Sequence, residues 1–356
     1  MTGYMPILKG RTSDMQALGK IAHSSLAQVR GLIEVMPPDQ EPEDRQQSVV
    51  EAVTVFEKRV KEHLPRECPF AVDGIRLLRK YRQPHLCGAI SSVSNIMQRH
   101  GYGIIPVIRP TDNDCELIDA GLAAKQHGKG ACLRVHWDQQ RTAAEDGQLV
   151  RRIRQLMGLD LTRFDLVLDM WAVDSDQRLK KGIGRARRAL DWAATRPFRS
   201  VTLAAGAFPQ DLRDVPFDTP TVIPRHDACL WSNATDACGG RMDVNYGDYG
   251  VSSPRAGQGF QPHPNLRYTT GEQWVVYRCE KQEGPRALRS FQGLCKAVMA
   301  DQWPPYHSLY SWGDREIEGF AHGQPGITWK AESWHACGMS HHFATVLDRL
   351  ATLGRG

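Results

Sequence analysis

The chain lacks any run approaching roughly 18 consecutive apolar residues, so no membrane-spanning helix is expected. Met1 to Pro6 lack the basic segment and apolar stretch of a secretory signal, and none is expected. Nine cysteines are present, but no two form a C-x-x-C pair. An odd, irregularly spaced set argues against a disulfide framework and against a structural zinc knuckle. It fits a reducing cytoplasm. There is no phosphate-loop string and no Gly-x-Ser-x-Gly elbow, which removes two common starting points for nucleotide and acyl chemistry. None of the cysteines has the local signature of a nucleophile. Low-complexity tracts are absent, and no repeat exceeds a strand–helix rhythm.

What the chain does have is a recurring placement. Short apolar runs end on charged or reactive residues. Met5-Pro6-Ile7-Leu8 ends on Lys9, Gly31-Leu32-Ile33 on Glu34, and Phe70-Ala71-Val72 on Asp73. Ile104 to Ile108 ends on Arg109, Cys132 to Val135 on His136, and Leu166 to Leu168 on Asp169. Val201 to Ala205 ends on Gly206, and a last polar run, Val244 to Tyr246, leads to Asp248. Eight such runs separated by helical segments predict an α/β fold, a parallel (β/α)8 barrel of the TIM type. In such a barrel the C-terminal strand ends share the face that carries active sites.

At 356 residues the chain holds one barrel of about 250 residues and an extension of roughly 100. A 41% hydrophobic content is enough for a large core, and a net charge of +5 does not by itself mark a nucleic-acid binder. The densest basic stretch, Arg178 to Arg188, reads as a solvated helix face. Helices are expected near 13–26, 46–63, 114–126 and 143–157. Pro37-Pro38 and the acids Asp39, Glu41, Glu43 and Asp44 form an acidic loop. Residues 207–243 are irregular and rich in proline and glycine. Beyond residue 260 the pattern changes to paired strands, Leu266–Thr269 and Trp274–Tyr277, and to helices near 286–300 and 343–353. Residues 1–260 are therefore assigned to the barrel, and 261–356 to an α+β extension packed on it.

Several strings occur together and in order. They are Tyr4-Met5-Pro6-Ile7-Leu8-Lys9-Gly10-Arg11, Gly31-Leu32-Ile33-Glu34-Val35, Gly206-Ala207-Phe208-Pro209 and Ile223-Pro224-Arg225. They continue with Tyr246-Gly247-Asp248-Tyr249-Gly250, Arg267-Tyr268-Thr269, Ser311-Trp312-Gly313-Asp314-Arg315 and His341-His342. Together they resemble the Beta protein family of satellite and temperate phages and mobile elements. The resemblance implies a component of a phage defence or killer–antidote locus, with a killer protein encoded nearby as partner. It implies no particular reaction.

The residues themselves suggest one. Lys9, Glu34, Asp73, His136, Asp169 and Asp248 form a candidate catalytic set at one barrel mouth. Clustered carboxylates repel one another unless a cation or proton compensates. Glu34, Asp73, Asp169 and Asp248 are candidate ligands for a divalent ion such as Mg²⁺ or Mn²⁺, both of which favour oxygen donors. Alternatively Lys9 compensates them, or the acids form buried salt bridges that close the barrel. Arg109, Arg225 and Arg267, with Tyr246 and Tyr249, are candidate anion-binding groups. Arg134 is read as a structural ion pair. His341 and His342 are about 100° apart on a helix, so only one can reach the barrel. The aromatic group Trp303, Tyr306, Tyr310, Trp312, Trp329 and Trp334 reads as core.

The expected activity is a metal-dependent hydrolase of a phosphate-bearing substrate, a nucleotide or nucleic acid. The alternative is a non-catalytic antidote that neutralises a partner toxin protein. Carboxylates converging on an open cavity favour the first, and a filled mouth with every acid paired favours the second. For Asp248, replacement by Asn is expected to spare the fold and remove activity.

Overall fold

The computed structural model describes residues 2–38, 45–77, 89–137, 143–255, 263–282, 285–304, 308–324 and 331–353. The acids of the 39–44 loop, Tyr306 and Trp329 lie outside them. Eight parallel strands close into a barrel: β1 (Tyr4–Leu8), β2 (Leu32–Glu34), β3 (Phe70–Asp73), β4 (Ile104–Ile108), β5 (Ala131–His136), β6 (Phe164–Ala172), β7 (Ser200–Gly206) and β9 (Asn245–Asp248). The last strand closes the ring by pairing with both β7 and β1, with Asp248 opposite Ala205 on one side and Pro6 on the other. Closure leaves no unpaired edge within the barrel.

Strand periodicity sorts the side chains into two layers. Met5, Ile7, Leu32, Ala71, Ile105, Val107, Cys132, Val167, Ala204 and Tyr249 pack together inside the barrel. The alternate residues, among them Tyr4, Leu8, Ile33, Val72, Leu133, Leu168, Leu203 and Tyr246, belong to the outer core under the helices. Those helices include α1 (Thr12–Gly19), α2 (Arg45–His63), α3 (Ala89–Arg99), α4 (Asp114–His127), α5 (Ala143–Met157) and α6 (Asp176–Ala194). Helix α4 starts in a full capping box, Asn113 with Glu116, and stops at Gly128 in the left-handed region. Helix α1 is shorter than its periodicity predicts. It stops at Gly19, and a 3₁₀ turn, His23–Gln28, follows.

The irregular stretch 207–243 contains a strand, β8 (Thr221–Pro224), and a helix, α7 (His226–Asp236). Neither is in the barrel sheet. β8 instead joins β10 (Asn265–Thr269) and β11 (Gln273–Arg278) in an antiparallel three-stranded sheet. The extension thus takes its third strand from the part of the chain assigned to the barrel. Its own core includes Leu266, Tyr268, Phe291, Ile317 and Phe320, with Trp303, Trp312 and Trp334 packed against it. Helices α8 (Pro285–Asp301), α9 (Trp312–Ala321) and α10 (Ala331–Leu353) complete it. Among the described residues no helix is long and apolar enough to cross a membrane. Among the described residues seven cysteines are free thiols and Cys115 is disulfide-bonded, so irregular spacing did not exclude every disulfide.

Candidate functional site

At the C-terminal strand ends the inward positions carry charge. Glu34 ends β2, Asp73 ends β3, Arg134 lies on β5 and Asp169 on β6. The side chain at the centre is Arg134. One of its terminal nitrogens donates to Glu34 Oε1 at 2.8 Å and to Asp73 Oδ2 at 2.7 Å. The other donates to Asp169 Oδ2 and to the Tyr249 hydroxyl, both at 2.8 Å. Its Nε also reaches Asp169 Oδ2, at 3.0 Å. Tyr249 closes the ring by donating to Asp169 Oδ2 at 2.6 Å. A planar guanidinium with five donors suits such bridging, which a lysine ammonium cannot reproduce.

Two more arginines complete the pairing. Arg76 Nε donates to Glu34 Oε2 at 2.6 Å, and Arg109 pairs with Asp73. Burial pushes the Asp73 carboxyl up, but Arg109 and Arg134 outweigh it and hold Asp73 well below the usual carboxylate range. For Asp169 burial is again outweighed, here by Arg134 and the Tyr249 hydroxyl. Burial alone would weaken the charge on Arg134; its anionic and phenolic neighbours instead hold its proton more firmly than usual.

Lys9 stands just after β1. Its Nζ donates to the Arg255 carbonyl at 3.1 Å, and it meets no carboxylate at ion-pair distance among the described residues. Burial, with Arg11 and Arg76 nearby, lowers its pKa to about 8. Gly10 turns the chain behind it at φ 60°, and a Cβ there would sit 2.5 Å from the Glu34 carbonyl. His136 ends β5 exposed to solvent. On the far side of Arg109, Asp112 accepts that residue's backbone N–H at 2.7 Å. Burial raises the Asp112 pKa to about 6.

Asp248 is not in this group. It has outward parity, with Tyr4 and Tyr246, and it faces helix α10. His342 Nε2 lies 2.8 Å from Asp248 Oδ2, and Tyr4 donates its hydroxyl proton to Oδ1 at 2.8 Å. The Gly250 backbone N–H adds a third bond at 2.9 Å. Arg225 lies 3.6 Å away and also binds Asp227 at 3.1 Å and the Tyr246 hydroxyl at 2.7 Å. Burial pushes Asp248 up, but His342 and Arg225 bring its pKa to about 2. Burial lowers the pKa of His342 and favours neutral imidazole. Its Nδ1 then accepts from the Thr269 hydroxyl, at 2.9 Å, and its Nε2–H donates to Asp248. Gly250 makes the close approach possible, because a Cβ at its φ of 58° would fall 2.2 Å from Met339 Sδ.

Two of the predicted anion-binding groups therefore belong to the outer cluster: Arg225 and Tyr246. A third, Arg267, is half-buried beside the turn after β9, donating to the Val251 carbonyl at 2.6 Å and to Asn265 at 3.0 Å. Only Arg109 and Tyr249 of that set lie in the Arg134 network. His341 turns away from His342 and binds Asp314 at 2.9 Å and the Thr269 carbonyl at 2.8 Å.

The family model described as Beta protein matches residues 4–348. The chain belongs to the Beta protein family. No curated protein matches it. A solved structure, PhdJ bound to substrate intermediate, is 11% identical over 100% of this chain and 98% of that one, with a TM-score of 0.32.

In this Beta-family chain the donor set proposed for a divalent ion does not fit one as arranged. Glu34, Asp73 and Asp169 all converge on the Arg134 guanidinium, and Asp248 lies in the other cluster. No group of three or more His, Cys, Asp or Glu side chains suited to a metal occurs among the described residues. Sequence reasoning missed Arg76, Asp112, Asp227, Arg255 and Trp171. Arg76 lies in the helical turn after β3 and Arg255 in a loop, and neither has a pattern around it. Arg134 had one: it shares strand parity with His136, two residues on.

Proposed function

We propose that the barrel mouth of this Beta-family chain receives an anionic, phosphate-bearing ligand, and that its acids hold cations in place instead of binding metal. The observation that carries this reading is Arg134 at the point where Glu34, Asp73 and Asp169 meet. The three acids are matched by Arg76, Arg109 and Arg134, which leaves the ammonium of Lys9 without a carboxylate at ion-pair distance among the described residues. A guanidinium fixed by a carboxylate is preorganised for oxyanions, because its orientation is set before the ligand arrives. Lys9, with a pKa near 8, and Asp112, near 6, bracket neutral pH and are suited to proton transfer in an enzyme acting there. The role within a phage defence or killer–antidote locus, in the cytoplasm, is the setting in which we place it.

One observation favours a second reading, a non-catalytic antidote. All four acids once assigned to catalysis are already paired, the pattern expected of a filled mouth.

The test uses Lys9→Met, which removes the ammonium and also the cost of burying it, so the fold is kept. Ribose 5-phosphate should raise the wild-type melting temperature with the logarithm of its concentration, and should leave the variant unmoved. No wild-type shift rejects the anion site. If the variant then still neutralises the product of the neighbouring gene in cells, the antidote reading stands alone.

A further inference from the structure

Trp171 is unusual in its exposure, its backbone and its place in the strand. It is 42% exposed, the only tryptophan among the exposed large apolar side chains of the described residues. Its backbone sits at φ 59°, a region that bulky side chains rarely occupy. It also lies in a bulge of β6, where the pairing with β7 slips between Asp169 and Ala172. Bulges beside active sites re-aim side chains.

The bulge is held by the mouth itself. Asp169 turns one oxygen to Arg134 and Tyr249 and the other to the Trp171 backbone N–H, at 2.9 Å. The same carboxylate thus fixes the central cation and the indole's backbone. The His136 ring meets the indole edge-on with centroids 5.6 Å apart, and the Arg255 guanidinium lies 5.7 Å from the ring centre. Arg255 in turn offers its carbonyl to Lys9, and its side chain pairs with Asp174 at 3.5 Å. A single arginine residue therefore separates the Lys9 ammonium from the exposed ring. With these contacts made, the indole remains 42% exposed.

We infer that Trp171 is a stacking platform and that the mouth's ligand is a nucleoside phosphate, its phosphate beside Lys9 and its base on the indole. This rests on the anion-binding reading above and adds the aromatic half of the ligand. Stacking is tolerant of base identity, since every base presents a π-face.

Calorimetric titration with adenosine 5′-monophosphate and with ribose 5-phosphate separates the two halves. Wild type should bind the nucleotide about ten- to a hundredfold more tightly than the sugar phosphate. Trp171→Ala should bring the nucleotide down to the sugar phosphate's affinity and leave the sugar phosphate unchanged. Trp171→Phe should keep most of the difference. Trp171→Gly relieves the backbone, so it should raise the melting temperature while losing the nucleotide preference, a combination that a purely structural tryptophan would not give. Equal wild-type affinity for both compounds overturns the platform and leaves the anion site standing. So does a nucleotide affinity indifferent to Trp171→Ala. Binding of neither compound overturns both.

Discussion

Two charged clusters sit at the same end of one barrel, and they differ in which way their strands point them. The Arg134 cluster is inward. It joins strands β2, β3, β5 and β6 across the lumen, and it grades outward into Lys9, exposed His136 and exposed Trp171. The Asp248 cluster is outward and sealed. Asp248, Arg225, Asp227, Tyr246 and His342 are all at most 1% exposed. It ties β9 to Tyr4 on β1 and to the terminal helix. Two of its atoms, Arg225 Nε and Asp227 Oδ1, have no hydrogen-bond partner among the described residues. The inward cluster thus leads to solvent, whereas the outward one welds the extension to the barrel. Charge at a barrel mouth reads as function only after the side chain's parity is known.

The sharpest way to break this comparison is Arg134→Met. It would leave three buried carboxylates sharing two arginines. Stability at pH 7 should fall by about 3–5 kcal/mol, the cost of breaking a buried ion pair from one side. The loss should shrink on acidification. The acids are held ionised by arginines in the wild type, and without Arg134 they take up protons in the folded state at higher pH. Urea unfolding at pH 7 and pH 5 measures both. A loss that is small, or that grows at pH 5, would mean the carboxylates are not held by Arg134.

Asp248→Asn comes next. The amide keeps the shape and can still accept from Tyr4 and Gly250, but the charge facing fully buried Arg225 is lost. From the sequence this variant was expected to spare the fold and remove activity. The sealed cluster changes the expectation to a loss of roughly 2–3 kcal/mol. Because the depressed pKa of Asp248 lies near 2, its stabilisation is complete above the unfolded value of 3.8 and disappears as pH falls through about 2. The variant should therefore show a constant deficit from pH 5 to 8. An Asn variant as stable as wild type would return Asp248 to the functional candidates.

Much of this barrel is written locally. Seven of the eight strands end within two residues of where the apolar run ends, because a strand buried on both faces is mostly apolar and stops near where charge begins, whereas β6 runs past Asp169 through its bulge to Ala172. The parity that divides Asp248 from Asp169 is also local: Tyr249, next to Asp248, carries the inward side chain. Less is visible where pairing is distant or geometry irregular. β8 pairs with a strand some fifty residues later, so a proline-rich stretch conceals it. The bond from His342 to Asp248 spans 94 residues, and nothing near either residue announces it. Trp171 follows a regular apolar run, and only its bulge, a backbone property, sets it apart.

The smallest expected effect tests whether every acid of the inward region is held by an arginine side chain. Asp112 is not. The Arg109 guanidinium goes to Asp73, and among the described residues the Asp112 carboxylate receives only the Arg109 backbone N–H. Burial therefore prevails, and the Asp112 pKa stands at about 6, against 3.8 for the free group. A folded pKa above the unfolded one means that the folded protein binds more protons between those values. Stability contributed by Asp112 is then complete below about pH 4 and is lost as pH rises through 6. The interval corresponds to at most about 3 kcal/mol. An asparagine keeps the acceptor for the Arg109 N–H and carries no charge to bury. Asp112→Asn should thus be more stable than wild type by about 1–2 kcal/mol at pH 7, and the gap should close toward pH 4. Thermal unfolding of the pair across that range decides it. A variant less stable than wild type at pH 7 would show that Asp112 is held by Arg109 as firmly as Asp73 is, and the inward cluster would then contain four paired acids in place of three.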